Sequence, residues 1–103
     1  MGANPEIRTE DGEVVAEDPG LGKTVAEILG RHGLDDSEYP LLSGIDPYGD
    51  TVFNSVQIPR VVRELEQFVR VAPSALQEDV RRLIGFIQPY ADRQRWYLWF
   101  IGD

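Results

Sequence analysis

Carboxylates dominate the reactive side chains of this 103-residue chain: eighteen acids, one histidine and no cysteine. The absence of cysteine excludes a thiolate nucleophile, thiolate zinc and iron–sulfur sites and a disulfide framework. A single imidazole, His32, excludes a His-rich metal site built by this chain alone. Ser43 and Ser55 have no evident route to that histidine, so a Ser–His–acid triad is a poor reading. Placed near the end of a helix and followed by Gly33, His32 reads as a surface or capping residue favoured by the helix dipole. Paired-carboxylate hydrolysis needs two acids held at a set separation. Asp46, Asp50 and Asp103 are the candidates for such a site, but no spacing selects a pair. Asp46, Asp50 and Asn54 also carry oxygen ligands suited to Ca²⁺ or Mg²⁺. They lack the alternate-position ligands and distal glutamate of an EF-hand loop, so turn and capping roles fit better. The sequence therefore assigns no catalytic residue, no cofactor and no metal ligand.

Gly20-Leu-Gly-Lys23-Thr24 follows an apolar stretch and opens a helical pattern, as a phosphate-binding loop does. That loop needs a glycine five positions before its Gly-Lys pair, and position 17 is Glu. A carboxylate there would repel the phosphates it should admit, so the segment reads as a glycine turn before a helix.

Charge and aromatics point instead to a partner. The net charge is −8. Residues 1–50 hold twelve acids against three bases; residues 51–103 hold six acids and seven arginines. The acid excess argues against nucleic acid and against a membrane surface. No apolar run is long enough to span a bilayer and no signal-peptide pattern is visible, so the expectation is a cytoplasmic protein. The acids of the 35–50 segment suit capture of a basic partner protein, with Asp35, Asp36, Glu38, Asp46 and Asp50 as its charged contacts. Tyr48, Tyr97 and Trp99 would supply the anchors, since exposed aromatics dominate binding energy.

The elements that must position these residues follow from periodicity. Ile7–Ala16 reads as a charged hairpin around Asp11-Gly12, at a sheet edge. Thr24-Val-Ala-Glu27 reads as a capping box for a helix carrying Val25, Ile28 and Leu29 and ended by Gly30 or Gly33. Tyr39–Ile45 and Asp50–Asn54 read as a strand pair around an Asp46-Pro-Tyr-Gly49 turn. Ile58, Val61, Val62, Leu65, Phe68 and Val69 form one helical face from Pro59 onward. Its polar side offers Arg60–Glu64 and Glu66–Arg70 pairs four residues apart. Ser74-Ala-Leu-Gln77 reads as a second capping box, before a helix bearing Leu76, Val80, Leu83, Ile84 and Ile87. Arg95–Ile101 is a strand apolar on both faces and therefore central. Trp96, Leu98 and Phe100 share its core face, leaving Tyr97, Trp99 and Ile101 on the other. The expected fold is one α+β domain: a mostly antiparallel sheet, three helices mainly on one face, and the aromatic C-terminal strand inside the sheet. Residues 1–20, a charged hairpin and loop, are the part expected to be least tightly attached.

Asp46-Pro-Tyr-Gly-Asp-Thr-Val-Phe-Asn54, the following Gln57 and helix, and Tyr97-Leu-Trp-Phe-Ile-Gly-Asp103 resemble a group of small bacterial proteins common in actinobacteria. The likeness spans roughly residues 39–103 and carries no activity. At the level of class, a small acidic cysteine-free α+β chain is similar to the immunity proteins of bacterial toxin systems. That resemblance implies an immunity- or antitoxin-type inhibitor, a non-catalytic module that occludes a basic partner, such as a toxin, after electrostatic steering. Two alternatives stand beside it: a small carboxylate-dependent enzyme, and a homodimer or other homo-oligomeric subunit joined through the C-terminal strand face.

Overall fold

The computed structural model describes residues 2–31, 34–92 and 95–102. Four strands, β1 (Ala3–Arg8), β2 (Val14–Glu17), β3 (Asp50–Phe53) and β4 (Tyr97–Gly102), form one antiparallel sheet in the order β2-β1-β4-β3. Three helices, α1 (Gly22–Arg31), α2 (Ile58–Val69) and α3 (Ser74–Ile87), complete an α+β fold. Burial alternates along β1 and β4: Ala3, Pro5, Ile7, Leu98 and Phe100 are buried, and the residues between them are partly exposed. Such alternation means one covered face and one open face. The covered face meets Val25 and Ile28 of α1, Val61, Leu65 and Phe68 of α2, and Val80, Leu83 and Ile87 of α3 in one apolar core. The C-terminal strand is central, as its apolar run predicts.

The first hairpin turns at Asp11-Gly12, where Gly12 adopts φ 88°, a conformation that costs glycine little. Its first strand begins at Ala3, four residues earlier than Ile7, and lies inside the sheet. Pro5 is tolerated there because its missing N–H faces the end of β2. Asp18 N–H donates to the Pro5 carbonyl at 3.4 Å, and the Asp18 carbonyl instead accepts from Leu21 N–H at 3.1 Å. No ladder bond is lost, and β2 ends at this point.

The expected pairing of Tyr39–Ile45 with Asp50–Asn54 does not form. Residues 35–45 run as consecutive tight turns, with Tyr39 N–H on the Asp35 carbonyl at 2.8 Å and Ser43 N–H on the Tyr39 carbonyl at 2.9 Å. Tyr39, Leu42 and Ile45 are the buried residues, spaced by three rather than two, which is the period of a tight helical turn. β3 pairs with β4 instead. The Asp46–Gly49 turn does form: Tyr48 N–H donates to the Asp46 carboxylate at 2.8 Å and Gly49 N–H reaches the Asp46 carbonyl at 3.4 Å.

Both expected capping boxes fail and an unexpected one stands between them. Thr24 is buried inside α1, which starts at Gly22. Gly30 lies within that helix, and Gly33 and His32 lie outside the described residues. Ser74 is already helical, and Gln77 donates to the Ala72 carbonyl at 3.1 Å rather than capping Ser74. At Asn54, by contrast, the side-chain oxygen accepts from Val56 and Gln57 N–H, both at 3.0 Å, and Gln57 returns an acceptor to Asn54 N–H at 3.0 Å. That reciprocal pair is a capping box for the turn leading into α2. Neither Arg60–Glu64 nor Glu66–Arg70 forms an ion pair; among the described residues, the ion pairs within 4.0 Å are Arg8–Glu6 and Arg82–Asp18.

Gly102 ends β4 against the 46–49 turn, donating to the Gly49 carbonyl at 2.8 Å. A Cβ there would lie 2.5 Å from that oxygen and 2.7 Å from the Pro47 carbonyl carbon. Gly102→Ala is therefore expected to lower unfolding free energy by about 1–3 kcal/mol. Gly85→Ala, in α3 with nothing within 4 Å of its Cβ, should raise it by about 0.5–1 kcal/mol. Urea denaturation of the two variants checks both signs.

Candidate functional site

Glu64 organises the part of the surface richest in candidate residues. It sits on α2 at the margin of the apolar stripe, three residues after Val61 and four before Phe68. Its side chain is buried, 8% exposed. One carboxylate oxygen accepts from Leu41 N–H at 3.1 Å and Leu42 N–H at 3.0 Å, and the other also takes Leu41 N–H at 3.1 Å. An ionised acceptor shared by backbone donors is a strong hydrogen-bonding arrangement. It draws the backbone at 41–42 onto α2 and starts the 3-10 turn Leu42–Gly44. Tyr39 packs edge-on against Phe68, with ring centroids 6.0 Å apart. Burial raises the Tyr39 phenol above its usual value, the nearby Glu38 and Glu64 charges add to this, and a hydrogen bond with Gln67 opposes it.

With the segment anchored from inside, its acids face outward. Asp35, Asp36, Glu38 and Asp46 are all exposed, and Tyr48 is 68% exposed. The Asp35 carboxylate accepts from Ser37 N–H at 2.9 Å and Ser37 Oγ at 2.8 Å. These bonds, the backbone one first, hold its carboxyl below the usual aspartate value. Two grooves flank the segment and share Leu34. One, of about 330 Å³, lies between α1 and the 43–48 turns, lined by Ala26, Leu29, Gly30, Ile45, Pro47 and Tyr48, with Ser43 as its polar contact. The other, of about 290 Å³, lies toward Phe68 and Val71, with Asp35 and Glu38 on its wall.

The remaining sequence-derived candidates lie elsewhere. Tyr97, Trp99 and Ile101 occupy the open face of the sheet, together with Asp50 and Val52 of β3. The eight candidates thus divide between an acidic loop surface and the sheet face turned away from the apolar core. Asp50, directly after the 46–49 turn, is the residue that passes from one to the other. The Arg8 guanidinium lies over the Trp99 ring, 4.1 Å from its centroid, and is held by Glu6 at 2.7 Å.

Two of the carboxylate and oxygen-ligand candidates are committed locally. Asp46 spends its carboxylate on its own turn, Asn54 spends its amide on the cap, and Asp103 lies outside the described residues. Among the described residues, no three acids or histidines gather closely enough to hold a metal. The Gly20–Thr24 segment forms no phosphate cradle: Gly22 abuts Asn4 and the Thr24 side chain is buried. No described helix is long and apolar enough to cross a membrane. Glu64, expected on the polar side of its helix as the partner of Arg60, is buried instead, and the Arg8–Trp99 stack was not anticipated. Glu64 had one signal, its place beside the apolar stripe. The stack depends on a strand pairing that sequence does not display. Comparison with family models, curated proteins and solved structures yields no match.

Glu64→Ala leaves two backbone N–H groups without their acceptor and is expected to cost about 2–3 kcal/mol. Amide hydrogen exchange should accelerate at Leu41 and Leu42 well before the core strands. A second expectation concerns pH. A depressed folded pKa stabilises above the unfolded-state value, and that contribution is lost as pH falls through the folded value. Ser37→Ala removes one of two donors, so the Asp35 midpoint in a carboxyl NMR titration should rise partway toward the ordinary value.

Proposed function

We propose that this chain is a non-catalytic protein-binding module that captures a basic partner, in the manner of an immunity- or antitoxin-type inhibitor. The observation that carries the reading is the 34–48 surface. Asp35, Asp36, Glu38 and Asp46 project into solvent around two grooves whose walls are largely apolar, with Tyr48 standing at the rim. No lysine or arginine occurs between residues 34 and 50. An acidic rim raises the rate of encounter with a cationic surface, and an aromatic side chain beside an apolar groove supplies the desolvated contact that then holds it. The segment is fixed in advance by Glu64, which lowers the ordering cost of binding. Inhibition would be steric, with this surface covering the partner's own basic site. A cytoplasmic setting belongs to the same reading and suits a cysteine-free chain.

The test joins identification to kinetics. The chain is used to capture proteins from its host lysate at low salt, and the retained protein is then purified. The reading expects a partner of high isoelectric point whose activity is suppressed at one-to-one stoichiometry. Association should slow by at least about tenfold in the Asp35→Asn, Asp36→Asn, Glu38→Gln, Asp46→Asn variant, with dissociation little changed. The same slowing should follow a rise in salt, because the screening length shrinks to about 3 Å at 1 M. A neutral or acidic partner, or association indifferent to both salt and the four substitutions, overturns the reading.

A further inference from the structure

The face of the sheet turned away from the apolar core carries an arrangement that the loop surface does not explain. Three rungs cross it. In the middle rung Glu17 of β2, Glu6 of β1, Trp99 of β4 and Val52 of β3 stand side by side. Glu6 and Glu17 are direct cross-strand partners, so their Cβ atoms lie about 5 Å apart, and like charges so placed repel. The ion pair at Glu6 is with Arg8, whose Nε and Nη2 both reach Glu6 Oε1, at 2.9 and 2.7 Å. Arg8 also lies diagonally across from Trp99 and stacks on it. Each side chain of the Glu6, Arg8 and Trp99 set is only partly exposed, whereas Val52 beside Trp99 is 41% exposed.

We infer that this face takes an arginine side chain from a basic protein partner, and that Arg8 occupies its place in the free chain. Trp99 offers a ring that already accommodates a guanidinium, Glu6 offers the carboxylate that holds it, and Glu17 adds an acceptor on the far side. An incoming guanidinium at this rung relieves the Glu6–Glu17 repulsion while Arg8 swings away from Trp99. Arginine is favoured over lysine because its planar group stacks on an indole and binds carboxylates in a fork. A second copy of this chain fits poorly, since face-to-face packing would bring two sets of Glu6, Glu17 and Asp50 together. The inference rests on the partner being basic and concerns a surface distinct from the acidic loop.

The probe is a blocked hexa-arginine peptide, followed by the emission of Trp99 in a Trp96→Phe background at low salt. Hexa-lysine and hexa-glutamate serve as comparators. Binding should quench or shift Trp99 emission, with hexa-arginine tightest and hexa-glutamate inert. Arg8→Ala should tighten the peptide by about two- to fivefold, the scale of an exposed cation–π contact. Arg60→Ala changes the net charge identically on α2 and should tighten it far less. Trp99→Val should abolish the gain from Arg8→Ala, read by calorimetry. If Arg8→Ala weakens binding, or matches Arg60→Ala, the displacement claim fails. If the peptide binds through the loop acids with both Arg8 and Trp99 silent, the sheet-face site fails and the basic-partner reading stands. If no cationic peptide binds at low salt, both fall together.

Discussion

A buried carboxylate with no cation beside it must find hydrogen-bond donors, because burying it bare costs several kcal/mol. Glu64 meets that demand with the backbone of Leu41 and Leu42. Much of the architecture follows. Two of the amides that a strand at 39–45 would lend to a sheet, those of Leu41 and Leu42, are committed to α2; Tyr39, Ser43, Gly44 and Ile45 N–H bond within local turns, and β3 pairs with β4 instead. The same turns send Tyr39, Leu42 and Ile45 inward, while the flanking acids Asp35, Asp36, Glu38 and Asp46 stay exposed. One interaction thus joins the helical layer, the sheet order and the electrostatic character of the loop surface.

Charge is distributed in keeping with that division. The arginines of α2 and α3 are spread along exposed helix faces without ion pairs to the acids four residues away, and the anionic excess belongs to the sheet edge, the first hairpin and the turns. The open sheet face mixes two carboxylates in direct opposition with a half-covered tryptophan. Its intramolecular Arg8 stack lessens the apolar area shown to solvent and so tempers an exposed face that would otherwise invite association. Both edge strands are four residues long, which further limits pairing with other chains.

Sequence patterns expressed the fold wherever one periodic signal ruled a segment. The helical faces of α2 and α3, the central place of β4 and the Asp46–Gly49 turn are of that kind. Alternation within Tyr97–Ile101 also placed Trp99 and Tyr97 on the uncovered face. Patterns misled where a distant group overrode local preference. Tyr39–Ile45 has strand-like composition, but its conformation is decided by a carboxylate more than twenty residues away. Thr24 is the third residue of α1 and Ser74 the first of α3, both already helical and past the cap position, while Asn54 and Gln57 do the capping with equally suitable side chains. Candidate site residues chosen for exposure and charge were placed at the surface; their division into two surfaces is a property of sheet order, which no local pattern encodes.

We propose that the acidic surface at 34–48, anchored by Glu64, receives a basic protein. The most direct measurement is the backbone amide shift map of the ¹⁵N-labelled chain, titrated with its purified partner. The largest perturbations are expected across residues 34–50 and the facing end of α1, with the exposed sides of α2 and α3 nearly unmoved. Perturbations centred on the arginine-bearing faces of α2 and α3, with 34–50 unchanged, would contradict it.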